Sequence, residues 1–188
     1  TGNLDAAIAT TKQGIAKYPE NKELMLDQVA FQLDGNRMEE AETSVKAAIE
    51  KDPTNPVLYS VLGSLYDGKA NPKEGKVSEA DMVKWYDLAE QAYKKSIEVD
   101  PTFFDSYYNI GVLYNNRAAF EYEKCNQIKD DTKYAACKEK ADQIYLQTIP
   151  FFEKAHELKP EDMASMQQLK KLYAKAGNTE KYNAIKKL

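Results

Sequence analysis

The chain has 188 residues, of which 43% are hydrophobic and 30% charged, so it is long and apolar enough to bury a core. A net charge of -4 with no basic run argues against nucleic acid as a partner, and no apolar stretch approaches the roughly 20 residues that span a bilayer. One histidine and two cysteines leave little material for a metal site or a nucleophilic triad.

The sequence repeats itself with a period of 34 residues. The helix-ending prolines Pro19, Pro53, Pro101 and Pro160 are spaced by 34, by 34 plus 14, and by 34 plus 25 residues. Small residues follow the same spacings, which predicts stacked units interrupted by two insertions. Each unit is expected to be a pair of antiparallel helices that buries its apolar face only against its neighbours.

The motifs within this period resemble those of the tetratricopeptide repeat family. Its first-helix pattern of aromatic, Leu-Gly and Tyr matches Tyr59, Leu62, Gly63, Tyr66 and again Tyr107, Ile110, Gly111, Tyr114. Its second-helix pattern matches Ala89, Tyr93, Ser96, Pro101 and again Thr148, Phe152, Ala155, Pro160. The resemblance implies an all-α, right-handed α–α superhelix without cofactor or metal. A weaker compositional resemblance points to secreted repeat proteins of Bacteroidetes-type bacteria.

In chain order, about nine helices are expected in one array spanning 1–188. The glycines Gly63 and Gly111 should allow close packing of Ala89 and Thr148. Since half a repeat stands first, we expect the natural protein to continue upstream. The predicted elements are a half repeat at 3–18, a repeat at 21–52, a repeat at 55–100 with a polar insertion at 67–78, a repeat at 103–159, and a helix pair at 162–188.

The second insertion lengthens both helices of its repeat. Apolar residues at helical spacing predict a first helix over 104–128 and a return helix that starts after Asp130-Asp131-Thr132. A helix of that length is about twice an ordinary repeat helix. The sequence therefore predicts an elongated hairpin that protrudes from the array. Ser78, followed by Glu79 and Asp81, predicts an early helix start in the preceding repeat.

The two cysteines are expected to face each other near the tip of this hairpin. In an antiparallel pair, facing residues keep a nearly constant sum of residue numbers, which is 262 for a turn centred on Asp131 and also for Cys125 with Cys137. A disulfide is favoured and would indicate export rather than a cytoplasmic location; two buried thiols are the alternative in a reducing compartment. A stapled tip would make Lys129–Lys133 a second binding surface.

The family resemblance also implies a concave groove lined by first-helix residues. Those positions are rich in acids and asparagine and lack the basic residues with which the family clamps a peptide carboxylate. The groove positions are Glu23, Leu26, Asp27, Ala30, Leu33 and Asp34 in the second repeat, Val57, Ser60, Val61, Ser64, Asp67 and Gly68 in the third, and Asp105, Tyr108, Asn109, Val112, Asn115 and Asn116 in the fourth, with Lys171 and Lys175 in the last repeat. A merely solvated face remains the alternative.

No phosphate-binding glycine loop or nucleophile elbow is present, and His156 is expected to pack between repeats. We therefore predict a non-enzymatic adaptor that binds a protein or peptide. One alternative is self-association through Leu4, Ile8 and Ile15, which a missing helix would leave exposed. A remote alternative is a regulatory domain of an enzyme located upstream.

Overall fold

A computed structural model describes residues 2–72, 75 and 77–187. Within that part the chain is all-α, with ten helices rather than about nine. None of these helices is both long and apolar enough to cross a bilayer. They are α1 Gly2–Lys17, α2 Lys22–Asp34, α3 Met38–Lys51, α4 Pro56–Ala70, α5 Glu79–Val99, α6 Phe104–Cys125, α7 Asp131–Leu146, α8 Ile149–Leu158, α9 Met163–Lys175 and α10 Thr179–Lys186.

The helix ends follow from local sequence signals. Ser78 caps α5 by accepting a hydrogen bond from the Asp81 amide, as predicted, and Asp130 does the same for the Lys133 amide at the start of α7. The four helix-ending prolines Pro19, Pro53, Pro101 and Pro160 lie in the turns after α1, α3, α5 and α8, where a residue without an N–H group cannot continue a helix. The chain forms two compact units, unit 1 (Thr1–Pro101) and unit 2 (Thr102–Leu188).

Unit 1 has a core between α2, α3 and α4. Its buried residues are Met25, Val29, Val45, Ala48 and Leu58. The apolar face of α1, expected to be open, is largely covered: Ile8 is 6% exposed, Leu4 and Ile15 are half-buried, and Ile15 packs against the core cluster. This face is less open than expected because α2 packs along α1.

The repeat glycines make room for aromatic rings. A Cβ built on Gly63 would lie 2.6 Å from the ring of Tyr93, and one on Gly111 would lie 2.8 Å from the ring of Phe152. The sequence had assigned this space to Ala89 and Thr148, but the atoms nearest to the two glycines belong to the rings. Both rings are buried, and the Tyr93 hydroxyl also lies 3.1 Å from the Ser64 hydroxyl, so displacing either ring would disturb the packing around it.

The other repeat-packing residues differ in burial. Tyr66, Ala89 and Ala155 are buried, whereas Tyr59, Leu62, Tyr107 and Tyr114 are half-buried.

We predict opposite effects for two alanine substitutions in α4. Gly63→Ala should destabilise the protein by about 1–3 kcal/mol, because its Cβ would overlap the Tyr93 ring. Gly68→Ala should stabilise it by up to about 1 kcal/mol, since its Cβ would meet only the Met38 side chain, at 3.7 Å, and alanine favours a helix. Denaturant unfolding measures the change in unfolding free energy for each variant. A Gly63→Ala protein as stable as wild type would show that the ring is not held in this position.

Unit 2 begins with the elongated hairpin. α6 ends at Cys125 rather than at residue 128, because the chain turns there and the Ile128 amide donates to the Cys125 carbonyl at 2.9 Å. The return helix is divided into α7 and α8, with Pro150 in the first turn of α8. Proline removes a helical donor and its ring opposes a continuous helix. This division accounts for the tenth helix.

The base of the hairpin packs on the last helices of unit 2. The buried cluster joins α8, α9 and α10 through Phe152, Met166, Leu169, Leu172, Tyr173 and Ile185.

The first insertion is partly helical. α4 continues to Ala70 and so includes the first four residues of the segment expected to be a loop. Asn71 then closes the helix, its side-chain amide donating to the Asp67 carboxylate at 2.9 Å. Lys73, Glu74 and Lys76 of the predicted 67–78 insertion lie outside the described residues.

Candidate protein-interaction surface

The acids of α2 form an exposed face in unit 1. Glu23, Asp27 and Asp34 are all exposed and are spaced by 4 and 7 residues, which places them on one side of the helix. None of the three has an ion-pair or hydrogen-bond partner for its carboxylate among the described residues. We call this set the acidic face; its charges are available to a ligand.

The polar candidate residues of α4 are buried or hydrogen-bonded within the protein, unlike the acids of α2. Ser60 is only 5% exposed, so it is a buried residue rather than part of an open groove. Ser64 is exposed but its hydroxyl pairs with that of Tyr93, and the Asp67 carboxylate accepts from Asn71. Ser60 lies on the buried side of α4. A helix that packs against its neighbours buries every third or fourth residue, and Ser60 occupies one of these positions.

A cavity of about 610 Å³ lies beside one end of the acidic face. Its wall includes the α2–α3 turn, the last turn of α4 and one residue of α5. The main contributors are Leu33, Asp34, Met38, Glu39, Lys69 and Trp85. This volume is in the usual range of ligand pockets, about 300–1,000 Å³. We call it the Trp85 cavity.

Trp85 was not assigned to a candidate site by the sequence. It stacks on Tyr66 with ring centroids 5.7 Å apart, and the Lys69 ammonium lies 4.8 Å from its centroid. The sequence signal that could have found it is the early start of α5, which places the one tryptophan opposite the last turn of α4.

Glu42 is the centre of an ion-pair network that includes Lys69 of this wall. Its carboxylate accepts from Lys46 at 2.7 Å, Lys69 at 2.5 Å and the Tyr66 hydroxyl at 3.1 Å. Partial burial opposes its ionisation, but these donors outweigh burial and lower the pKa of Glu42 from 4.5 to about 2. The pairing neutralises Lys69 and joins α3 to α4.

The Glu42 network predicts a pH dependence of stability. Because the folded-state pKa lies below the unfolded value of 4.5, its contribution is present above pH 4.5 and is lost as the pH falls towards 2. We expect a loss of about 1 kcal/mol after discounting for solvent screening. The difference in unfolding free energy between wild type and Glu42→Gln should shrink over this range. Glu50→Gln, an exposed control on α3, should differ little from wild type throughout.

The candidate groove residues of unit 2 include two that pack against the core. Tyr108 and Val112 pack against the buried cluster of α8 to α10, and the Tyr108 ring meets Phe152 edge-on at 5.6 Å. Both are half-buried, so each keeps some exposed surface, and their role in a groove stays a prediction.

The remaining candidates of α6 are polar. Asp105 is exposed, Asn109 and Asn116 are half-buried, and the Asn115 side-chain amide donates to Gln168 at 3.4 Å. The side-chain oxygen of Asn115 is buried without a hydrogen-bond partner in the described structure.

Lys175 is an anchor rather than a free groove cation. Its ammonium lies 2.6 Å from the Asp142 carboxylate, which also accepts from Lys138 and the Tyr122 hydroxyl. Burial raises the pKa of Asp142, but these donors outweigh it and lower the value to about 2. The network ties α9 to both helices of the hairpin. Lys171 is exposed.

The predicted disulfide between Cys125 and Cys137 is confirmed. The two residues are bonded, with their Cα atoms 5.6 Å apart, and Cys125 is 1% exposed. Residues 129–136 at the tip are exposed, including the ring of Tyr134. A binding role for the Lys129–Lys133 segment stays a prediction.

The described residues show no metal-binding cluster. No group of three or more histidine, cysteine or acidic residues that could hold a metal ion occurs among them. His156 is half-buried in α8, with its Nδ1 atom buried and without a partner in the described part.

The comparisons with known proteins agree with the repeat analysis. Sequence models of the tetratricopeptide repeat match residues 1–65 and 92–129. No curated protein matches the chain. A crystal structure of MamA is similar with a TM-score of 0.65 and 20% identity, covering 98% of this chain and 85% of that one. TTC0263, a thermophilic TPR protein in Thermus thermophilus, gives a TM-score of 0.53 and 16% identity, covering 92% of each chain.

These matches and the paired helices define the chain as a helical-repeat, protein-interaction scaffold. It belongs to the tetratricopeptide repeat family, and its fold is of the α–α superhelical class. Repeats of this family are non-enzymatic adaptors. The resemblance to secreted proteins of Bacteroidetes-type bacteria stays a prediction.

Proposed function

We propose that the chain is a scaffold that binds a basic, extended segment of a partner protein on the acidic face of unit 1. The observation that carries this proposal is the set of exposed, unpaired carboxylates of Glu23, Asp27 and Asp34 beside the Trp85 cavity. Carboxylates already paired within the protein would gain little from a ligand. These three are free to attract and orient a cationic chain.

Ligand charge is the property that this surface selects. The described first-helix residues of unit 1 that line the candidate groove include four acids and no base. Attraction to such a surface is strongest at low ionic strength and weakens as salt screens it. A neutral or acidic segment gains nothing from the acidic face, and an acidic one is repelled.

Calorimetric titration of the whole chain tests the proposal. The probes are a nine-residue peptide of three Gly-Ser-Arg units and its Gly-Ser-Glu counterpart. We expect the basic peptide to bind, the acidic peptide not to bind, and added salt to weaken binding. The double variant Glu23→Gln with Asp27→Asn should lower the affinity about three- to tenfold, since each exposed pair contributes up to about 1 kcal/mol.

A matched control separates this surface from net charge. Glu139→Gln with Glu161→Gln removes the same charge from exposed positions of unit 2. This control should bind the basic peptide as wild type does. Equal weakening by both double variants, or equal binding of the two peptides, would overturn the proposal.

A further inference from the structure

The Trp85 cavity combines apolar walls with two available carboxylates. Leu33, Met38 and Trp85 provide the apolar part, and Asp34 and Glu39 provide the charge. Asp34 has no ion-pair partner among the described residues. Glu39 is 88% exposed, and the partner that its carboxylate has among the described residues is Lys69, at 3.9 Å. A long side chain with an apolar stem and a cationic head matches this combination.

Lys69, the cation that the described lining residues contribute, is already neutralised. The Lys69 ammonium lies 2.5 Å from the Glu42 carboxylate and is 12% exposed, so it is held by the protein. An anionic guest would therefore meet two carboxylates and a lysine that is already paired. The charge of the cavity disfavours an acidic ligand and favours a basic one.

The aromatic ring in this wall already accepts cations. The ammonium groups of Lys69 and Lys84 lie 4.8 and 5.0 Å from the Trp85 ring centroid, within the distance of a cation–π contact. Lys84 is exposed, so a guest can displace it at little cost, whereas Lys69 is fixed by Glu42.

The wall is held in place before any ligand arrives. Trp85 is stacked on Tyr66, whose hydroxyl donates to Glu42. The Tyr86 hydroxyl donates to the Asn71 side chain at 2.8 Å, which fixes the rim. A preformed pocket loses less conformational freedom on binding than one that must assemble.

We propose that the Trp85 cavity binds an arginine side chain of the partner segment. Arginine fits better than lysine because its planar guanidinium donates two parallel hydrogen bonds to a carboxylate, whereas an ammonium group is a point charge. The stem lies against Trp85 and the head faces Asp34 and Glu39. This inference rests on the proposed function and specifies the residue type that the scaffold selects.

The test uses Trp85 as a local reporter, since it is the single tryptophan of the chain. The indole N–H signal is followed by NMR while N-acetyl-arginine methylamide is added to the whole protein. The control ligand is N-acetyl-citrulline methylamide, which has a similar shape but no charge. We expect a saturable shift with the arginine compound and at least about tenfold weaker binding of the citrulline compound.

Two double variants test whether the carboxylates of the cavity, rather than the net charge of the protein, are responsible for arginine binding. Asp34→Asn with Glu39→Gln should weaken the arginine response about five- to tenfold, and Glu139→Gln with Glu161→Gln should leave it unchanged. If the first variant does not fold, the comparison of arginine with citrulline on the wild-type protein still decides. Equal shifts for the two compounds, or no shift with either, would overturn the inference.

The same protein separates this inference from the proposed function. Calorimetric binding of the Gly-Ser-Arg peptide with no change in the Trp85 indole signal would overturn the arginine pocket and leave the acidic face standing. An indole response to the arginine compound with no peptide binding would support the pocket and overturn the proposed function.

Discussion

Replacing Phe152 with alanine should destabilise the protein by about 3–5 kcal/mol, the usual cost of deleting a buried aromatic side chain. Phe152 is 0% exposed, lies against Gly111, and contacts the Tyr108 ring edge-on at 5.6 Å. It belongs to the cluster that joins α8, α9 and α10, so its loss opens a cavity where three helices meet. Denaturant unfolding measures the change.

The neighbouring residue provides the matched control. Phe151 is half-buried and stacks on Tyr114 with ring centroids 5.6 Å apart. Phe151→Ala removes the same atoms from a partly exposed site, so we expect about half the loss. An equal loss in both variants would show that Phe152 is not the centre of this cluster.

A double variant tests the contact between Gly111 and Phe152 directly. In the wild-type protein, Gly111→Ala should cost about 1–3 kcal/mol, because its Cβ would lie 2.8 Å from the Phe152 ring. In the Phe152→Ala background the ring is absent. The same substitution should then stabilise the helix by up to about 1 kcal/mol. An effect of Gly111→Ala that keeps the same sign in both backgrounds would contradict the packing described here.

Removing the disulfide should cost a little under about 3 kcal/mol, as the chain-entropy relation gives for a short loop. Cys125 and Cys137 are 12 residues apart, and residues 129–136 between them are exposed. The loss should therefore be concentrated at the tip of the α6–α7 hairpin. Cys125→Ala with Cys137→Ala should speed amide exchange at the start of α7 and leave α8 to α10 protected.

Mass spectrometry of the protein purified without reductant checks the bond itself. The intact mass should be lower by two hydrogens than that of the reduced chain, and a thiol reagent should label neither cysteine. Complete labelling of both thiols in that sample would contradict the disulfide and remove the reason to expect export.

The regular part of the structure could be predicted from the sequence. Local sequence determines where these helices begin and end, as the helix-ending prolines and the cap at Ser78 show. The 34-residue period reports the length of one helix pair and can also be read directly from the sequence. The pairing of Cys125 with Cys137 was accessible for a similar reason, because an antiparallel hairpin fixes which residues face each other. The division of the return helix at Pro150 was not predicted, because the apolar stripe suggested continuity.

The candidate site was less accessible because it depends on side-chain packing between helices. Family spacing placed Ser60, Tyr108 and Val112 in a groove. Ser60 is buried, and Tyr108 and Val112 are half-buried against the core cluster of unit 2. How far such a position is covered depends on side chains of neighbouring helices, which the repeat pattern does not specify. The Glu42 network joins residues of two helices, and no local motif marks it. Trp85 lies on the extra turns of α5, where the family pattern has no counterpart.

A charge-reversal experiment tests the central claim, that the acidic face of α2 selects a basic segment. Glu23→Lys with Asp27→Lys changes the sign of this surface at two exposed positions, where substitution should not disturb packing. Binding of the Gly-Ser-Arg and Gly-Ser-Glu peptides is measured by calorimetry for both proteins. The account predicts that the reversed protein no longer binds the basic peptide and binds the acidic peptide instead. Unchanged affinity of the reversed protein for the basic peptide would contradict it.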